Sequence, residues 1–244
     1  MNLIQLNRLR QEQSTSFLKL FGTDLVLDLD PSIPSRLINN PSMSGNVAIY
    51  KEGSIYGNDC TQPTATVQPI TGISSLNGLN TLDFNNDWMF LNPNLYNLPM
   101  GDSTIFTIVK KNTNTSFVRR IISLGISGTS YFDINVIESE NTVSFRNGLV
   151  TAPSISGVPL NNYNLITCRR KGTEQYISVN NGVPVTNNNA VDVPGINEGK
   201  LCINSNGVGF VFTGNLAPMV IIKKACTDDE ISFVNNKLMT RWLP

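Results

Sequence analysis

The run Phe212-Thr213-Gly214-Asn215-Leu216-Ala217-Pro218-Met219-Val220-Ile221-Ile222, followed by Thr227-Asp228-Asp229-Glu230-Ile231, decides the architecture. Residues 219–222 are apolar at every position, the pattern of a strand covered on both faces. Thr227 and Glu230 stand at capping-box spacing, where each side chain satisfies the other's orphan backbone amide. Asp228 and Asp229 favour the positive end of the helix that follows. Ile231, Val234, Leu238 and Trp242 then recur at three- and four-residue intervals, so the chain closes on a helix with one apolar face.

Upstream of this segment the dominant period is two. Residues 25–29 alternate leucine with Val26 and Asp28 until Pro31 stops them, which predicts a strand with one buried face. Residues 81–84 and 88–91 read as short strands around the polar turn Asn85-Asn86-Asp87. Residues 104–110, 119–124 and 131–137 read as further strands; in the last, Phe132, Ile134 and Val136 share one face and Tyr131, Asp133 and Asn135 the other. Asn147-Gly148 and Asn181-Gly182 carry the signature of two-residue hairpin turns. Residues 163–169 and 175–179 are strands joined through Lys171-Gly172, and residues 183–185, 199–204 and 209–212 continue the series. Residues 31–80 are rich in Pro, Ser, Gly and Asn, with weak strand candidates at 47–50 and 65–70.

Composition agrees with an all-β chain of many loops. The 244 residues are 40% hydrophobic and only 15% charged, against roughly 25% charged in ordinary soluble domains. Asparagine occurs 32 times, and it favours turns over helix interiors because its amide competes for backbone hydrogen bonds. Eighteen basic residues balance eighteen acidic ones, which argues against a nucleic-acid partner. The absence of histidine excludes Ser-His-Asp and Cys-His nucleophiles and the usual His-containing zinc sites. Cys60, Cys168, Cys202 and Cys226 are far apart and read as small buried hydrophobes. No stretch has the length of a membrane span, and the first residues lack the pattern of a signal peptide.

The closing segment resembles the C-terminal end of concanavalin A-like (LamG-like) jelly rolls, in which a glycine-initiated "G-x-(I/L)-A" strand precedes "(L/T)-(S/T)-D-x-E" and a short helix ending in tryptophan. Leu76-Asn77-Gly78-Leu79-Asn80-Thr81-Leu82-Asp83-Phe84 is similar to that family's "N-G-x-P-T-L-x-F" strand. Leu25-Val26-Leu27-Asp28-Leu29-Asp30 is similar to its opening "L-W-L-D-A" strand, with Val26 in place of the tryptophan. The resemblance spans residues 24–244. It implies an all-β fold: a concanavalin A-like β-sandwich (jelly roll), here with a short N-terminal helical arm and one C-terminal helix. The expected division is residues 1–22 as arm and 23–244 as jelly roll. The family's glucanase branch carries E-x-D-x-x-E on one strand, and nothing here matches it; Glu138-Ser139-Glu140 reads as a solvated strand end.

Sugar binding needs a flat aromatic face for the ring's C–H side together with amides and carboxylates for its hydroxyls. Trp88 beside Asn86 and Asp87 could supply both; the alternative is a core tryptophan beside asparagines that merely turn the chain. Tyr131, Asp133 and Asn135 form a second candidate platform, and Tyr50, Tyr56 and Tyr96 are the other aromatics available. Asp83 and Asp87 could contribute to calcium, as the resemblance suggests, but one turn supplies too few of the six to eight oxygens required, so no cofactor is expected. Arg169-Arg170-Lys171 reads as a solvated turn.

Residues 3–21 place Leu3, Ile4, Leu6, Leu9, Phe17, Leu18, Leu20 and Phe21 at helical spacings interrupted by a polar break, with Gly22 as a C-terminal cap. This segment either packs on its own domain or docks into an assembly. The resulting expectation is a non-enzymatic virion protein, a phage head-fibre, decoration or tail-associated subunit. It would bind other virion proteins through residues 1–22, form a homo-oligomer, and carry a lectin-like domain for host-surface glycans. The alternative is a stand-alone carbohydrate-binding module; a glycoside hydrolase ranks last.

Overall fold

The computed structural model describes residues 17–112, 118–126, 129–137, 141–148, 152–202 and 212–243. The alternating segments pair into two antiparallel sheets. In the first the order is β15 (Val185–Asn187), β14 (Glu174–Val179), β13 (Asn164–Lys171), β8 (Ser103–Lys111), β17 (Thr213–Ile222), β6 (Leu79–Asn85) and β5 (Ile70–Leu76). β1 (Leu25–Leu29) pairs with the second half of β17 and β6 with its first half, so the two follow one another along a single edge. The second sheet runs β12 (Ser154–Ile155), β11 (Thr142–Asn147), β10 (Thr129–Ile137), β9 (Val118–Ile126), β16 (Glu198–Leu201), β7 (Met89–Phe90), β4 (Cys60–Thr61), β3 (Val47–Tyr50) and β2 (Leu37–Asn39).

Period two sends one set of side chains from each sheet into a shared core. Leu27, Ile105, Ile166, Leu216 and Ile221 from the first sheet pack with Ile122, Leu124, Phe132, Ile134 and Phe145 from the second. The other face of the first sheet is covered as well. Phe106, Ile108, Leu165, Val220 and Ile222 lie beneath the C-terminal helix (Asp228–Trp242), which contributes Ile231, Val234, Leu238 and Trp242. The molecule is thus a jelly-roll-like sandwich with a third, helical layer, and the unbroken apolar run in β17 follows from its position between two cores. Pro218 falls within the slip of the β17–β8 register between Leu216 and Met219, where a missing N–H interrupts no ladder. The capping box is formed: Glu230 N–H donates to Thr227 Oγ1 at 3.2 Å and Thr227 N–H to Glu230 Oε2 at 2.9 Å. Among the described residues no helix is long and apolar enough to cross a membrane.

Several expectations are corrected. β1 is buried along its whole length, because Asp28, on the face expected to be solvated, is enclosed against Arg36 (Oδ2 to Nη1, 3.2 Å). Residues 65–67 form a 3-10 turn and no strand. Asn147 is no turn residue: it pairs with Phe132 in the β10–β11 ladder. The second asparagine turn begins one residue early, with Asn180 and Asn181 both at positive φ and Gly182 N–H closing on Val179 O, the geometry of a type I′ turn. The basic triplet is not a solvated turn. Arg169 pairs with Asp228 (2.7 Å) and Glu174 (3.1 Å), and Arg170, buried, pairs with Asp192 (2.5 Å). All four cysteines are free and buried.

The helical turn at residues 17–21 places Phe17 and Phe21 in the second core beside Trp242 and Leu238, and Gly22 follows it at φ +53°. This end of the arm folds onto the sandwich. Residues 1–16, Glu138-Ser139-Glu140 and residues 209–211 lie outside the described residues.

Candidate functional site

The Asn85-Asn86-Asp87 turn is held by one hydrogen bond, from Asn85 N–H to Asp87 Oδ2 at 2.9 Å, with Asn86 at φ +61°. Asn85 and Asn86 are exposed, whereas Asp87 is buried, and burial pushes its carboxyl up to about 6 against the opposing hydrogen bond from Asn85. The chain then enters β7. Trp88 is clamped through its backbone: its N–H donates to Val67 O (3.2 Å), and Gln62 Nε2 donates to its carbonyl (2.9 Å). Gln62 is fixed in turn by Gln68 Nε2, which donates to its carbonyl at 2.6 Å.

Alternation turns Met89 into the core and leaves Trp88 half-buried and Phe90 exposed on the outer face of the second sheet. The two rings meet edge to face, centroids 4.5 Å apart at 81°. Lys200 of β16 is directly opposite Phe90 in the ladder, and its Nζ lies 5.3 Å from the Trp88 centroid and 6.0 Å from that of Phe90, within cation–π range. Thr61, exposed, flanks Phe90 on the other side. This patch offers an aromatic surface, a cation and a hydroxyl on a backbone held from both sides.

Register carries the same face onward from Lys200 to Ser123, Asp133 and Arg146. Asp133 does not reach solvent: it is 0% exposed. Its carboxylate accepts from Arg146 Nε (3.1 Å) and Nη2, from Asn135 Nδ2, and faces Arg120 Nε at 3.3 Å. Asn135, also buried, accepts from Arg120 Nε at 3.3 Å. Burial holds the Arg120 guanidinium below its ordinary range, with the Asp133 charge opposing that shift. Asp133 and Asn135 are thus the closed centre of an ion cluster whose accessible member is the half-buried Arg146, and Tyr131 is half-buried two residues before Asp133.

The predicted residues therefore fall in two groups on one sheet face. Asn86, Asp87 and Trp88 are separated from Tyr131, Asp133 and Asn135 by three strand spacings, roughly 14 Å. Sequence reasoning missed Phe90, Arg120, Arg146 and Lys200. Phe90 lies at period two from Trp88 and was visible in the pattern; Lys200 reaches the face through a strand pairing distant in the chain, and Arg120 and Arg146 through the strands on either side of β10. Tyr50 is fully buried, Tyr96 packs against the core, and exposed Tyr56 donates to Thr23 O at 2.7 Å. Asp83 accepts from Ser74 Oγ at 2.7 Å and from Asn215 Nδ2. Among the described residues no group of three or more acidic, Cys or His side chains is gathered for a metal.

No protein-family model matches the chain, and no curated protein matches it by sequence. Solved structures do match. One is Trypanosoma rangeli sialidase in complex with the inhibitor DANA, at TM-score 0.61 and 13% identity, covering 86% of this chain and 32% of that one. A structure of botulinum neurotoxin type C, described by its interaction with two ganglioside molecules, matches at TM-score 0.56 and 14% identity over 91% of this chain and 53% of that one. The binding domain of botulinum neurotoxin DC in complex with SialylT matches at TM-score 0.54 and 15% identity, over 88% and 52%. The chain spans about a third of the sialidase and about half of the neurotoxin structures. At these identities the likeness is one of fold.

Proposed function

We propose that this chain is a non-catalytic glycan-recognition module that binds through Trp88, Phe90 and Lys200 on the outer face of its second sheet. The observation that carries the reading is the edge-to-face Trp88–Phe90 pair, held by backbone hydrogen bonds and bordered by Lys200 and Thr61. A rigid aromatic surface takes the apolar face of a pyranose at low entropic cost, and the neighbouring polar groups take its hydroxyls. Three of the matched structures are named for a sialidase inhibitor, for gangliosides and for SialylT, which favours a sugar over other small ligands.

Asp28, Asp30 and Asp133 are poorly placed for hydrolysis, since each is buried and faces an arginine. Most glycosidases place two free carboxyls across the scissile bond, one of them holding a proton, although sialidases use a tyrosine nucleophile. The finer reading, a phage virion subunit joined to its neighbours through residues 1–22, draws its support from the composition and from the apolar spacing of that segment.

The test is a glycan array probed with the full chain and with Trp88→Ala. Binding that falls at least about tenfold in the variant, with the fold retained by circular dichroism, is the expected result. An array blank for the full chain, or equal binding by both proteins, would refute the reading.

A further inference from the structure

We propose that the cleft between the C-terminal helix and the β14–β15 hairpin, on the opposite side of the sandwich from Trp88, is a separate site for a neutral sugar unit. The cleft has a volume of about 500 Å³, within the roughly 300–1,000 Å³ of small-ligand sites. Two of its lining residues, Ser178 of β14 and Asn235 of the helix, are each only 2% exposed. Asn235 Oδ1 accepts from Thr167 Oγ1 at 2.7 Å, which fixes the amide and its orientation. Ser178 Oγ accepts from the Tyr176 hydroxyl at 3.3 Å, leaving its own proton to give. Arg169 Nε, in the same lining, is buried without a hydrogen-bond partner among the described residues, and buried polar groups are normally paired, so the cleft holds a spare donor for an acceptor that a ligand would bring.

The charge around the cleft selects the ligand class. Arg169 lies over the Tyr176 ring, 4.8 Å from its centroid, and is answered by two carboxylates, Asp228 and Glu174. That balance leaves no cation for a phosphate or a carboxylate, and a second anion would be repelled. Ile231 and Pro184 supply apolar surface, so the lining pairs C–H contacts with amide and hydroxyl groups, the chemistry of a neutral, hydroxyl-rich ring. The wall is formed in advance, because Asn181 Nδ2 at the hairpin turn reaches Met239 Sδ of the helix at 3.1 Å. None of these groups belongs to the Trp88 patch, so the two sites stand or fall separately.

The test titrates the isotope-labelled full chain with glucose, galactose, mannose and N-acetylglucosamine, with glucuronate and inorganic phosphate as anionic controls, following amide shifts by NMR. Saturable shifts are expected for at least one neutral sugar at millimolar concentration, confined to residues 176–186 and 228–235. Ser232→Trp, a change at an exposed position on the cleft wall, should weaken that binding at least about tenfold, and Trp88→Ala should leave it unchanged. No shifts there with any neutral sugar, shifts from the anions alone, or binding that survives Ser232→Trp would each overturn the proposal. Shifts confined to Trp88 and its neighbours, lost in Trp88→Ala, would overturn it while upholding the function proposed above.

Discussion

Arg241, in the last turn of the C-terminal helix, places Nη1 2.8 Å from Oδ2 of Asp30, which follows the first strand. Both side chains are almost wholly buried, and Ser32 completes the set by donating from its N–H (3.0 Å) and Oγ (2.6 Å) to Asp30 Oδ1. The first and last elements of the sandwich are thus tied by one ion pair, beside β17, where both pack.

A buried pair contributes less than its Coulomb energy suggests, but breaking it strands a charge. Arg241→Ala should therefore destabilise the chain by about 3 kcal/mol, and Asp30→Asn combined with Arg241→Met should recover most of that loss. Urea unfolding of the three proteins measures it. A single variant as stable as the parent would show that Ser32 alone satisfies Asp30.

The arm yields a second expectation, because Phe17 and Phe21 belong to the core beneath the C-terminal helix. A chain lacking residues 1–22 should be at least about 3–5 kcal/mol less stable than one lacking residues 1–16, the cost of removing large buried aromatics. Thermal melts of both truncations decide it; equal melting temperatures would mean that these rings contribute nothing. The longer deletion cannot test a docking role cleanly, since it also removes Phe17 and Phe21 from the core.

These two cases show what was legible in the sequence. The terminal helix was, because capping and periodicity are local and agree with each other at Thr227, Glu230 and Trp242. Gly214 was legible only as a motif letter. Its physical reason is the packing of β17, where an added Cβ would lie 2.1 Å from the Lys110 carbonyl oxygen and 2.7 Å from the Phe212 ring. The site was half legible: Trp88 and its turn could be read locally, and period two pointed from Trp88 to Phe90. Lys200 joins them through a strand more than a hundred residues away. Pairing of consecutive strands brings Arg120 and Arg146 over Asp133 and encloses an aspartate that alternation alone had placed in water.

Asp87 gives the remaining prediction, in pH. Its carboxyl sits near 6 in the fold against an ordinary 3.8, raised by burial, and Asp28 is raised to about 6 for the same reason, with Arg36 opposing. Between these values the folded chain holds protons that the unfolded chain has released, so the contribution of each group to stability falls as pH rises from about 4 to about 7, against the opposite contribution of Glu230, whose carboxyl, though burial raises it, the Lys224 partner holds low. Asp87→Asn keeps an oxygen to accept from Asn85 N–H and has no charge to desolvate. It should therefore raise stability at pH 7 by about 1–2 kcal/mol and have little effect at pH 4. The Asp28 share of the slope should persist in the variant, because its partner Arg36 is untouched. Denaturant unfolding of parent and variant across that range checks the prediction, and a difference between them that does not grow as pH rises from about 4 to about 7 would contradict the raised Asp87 carboxyl.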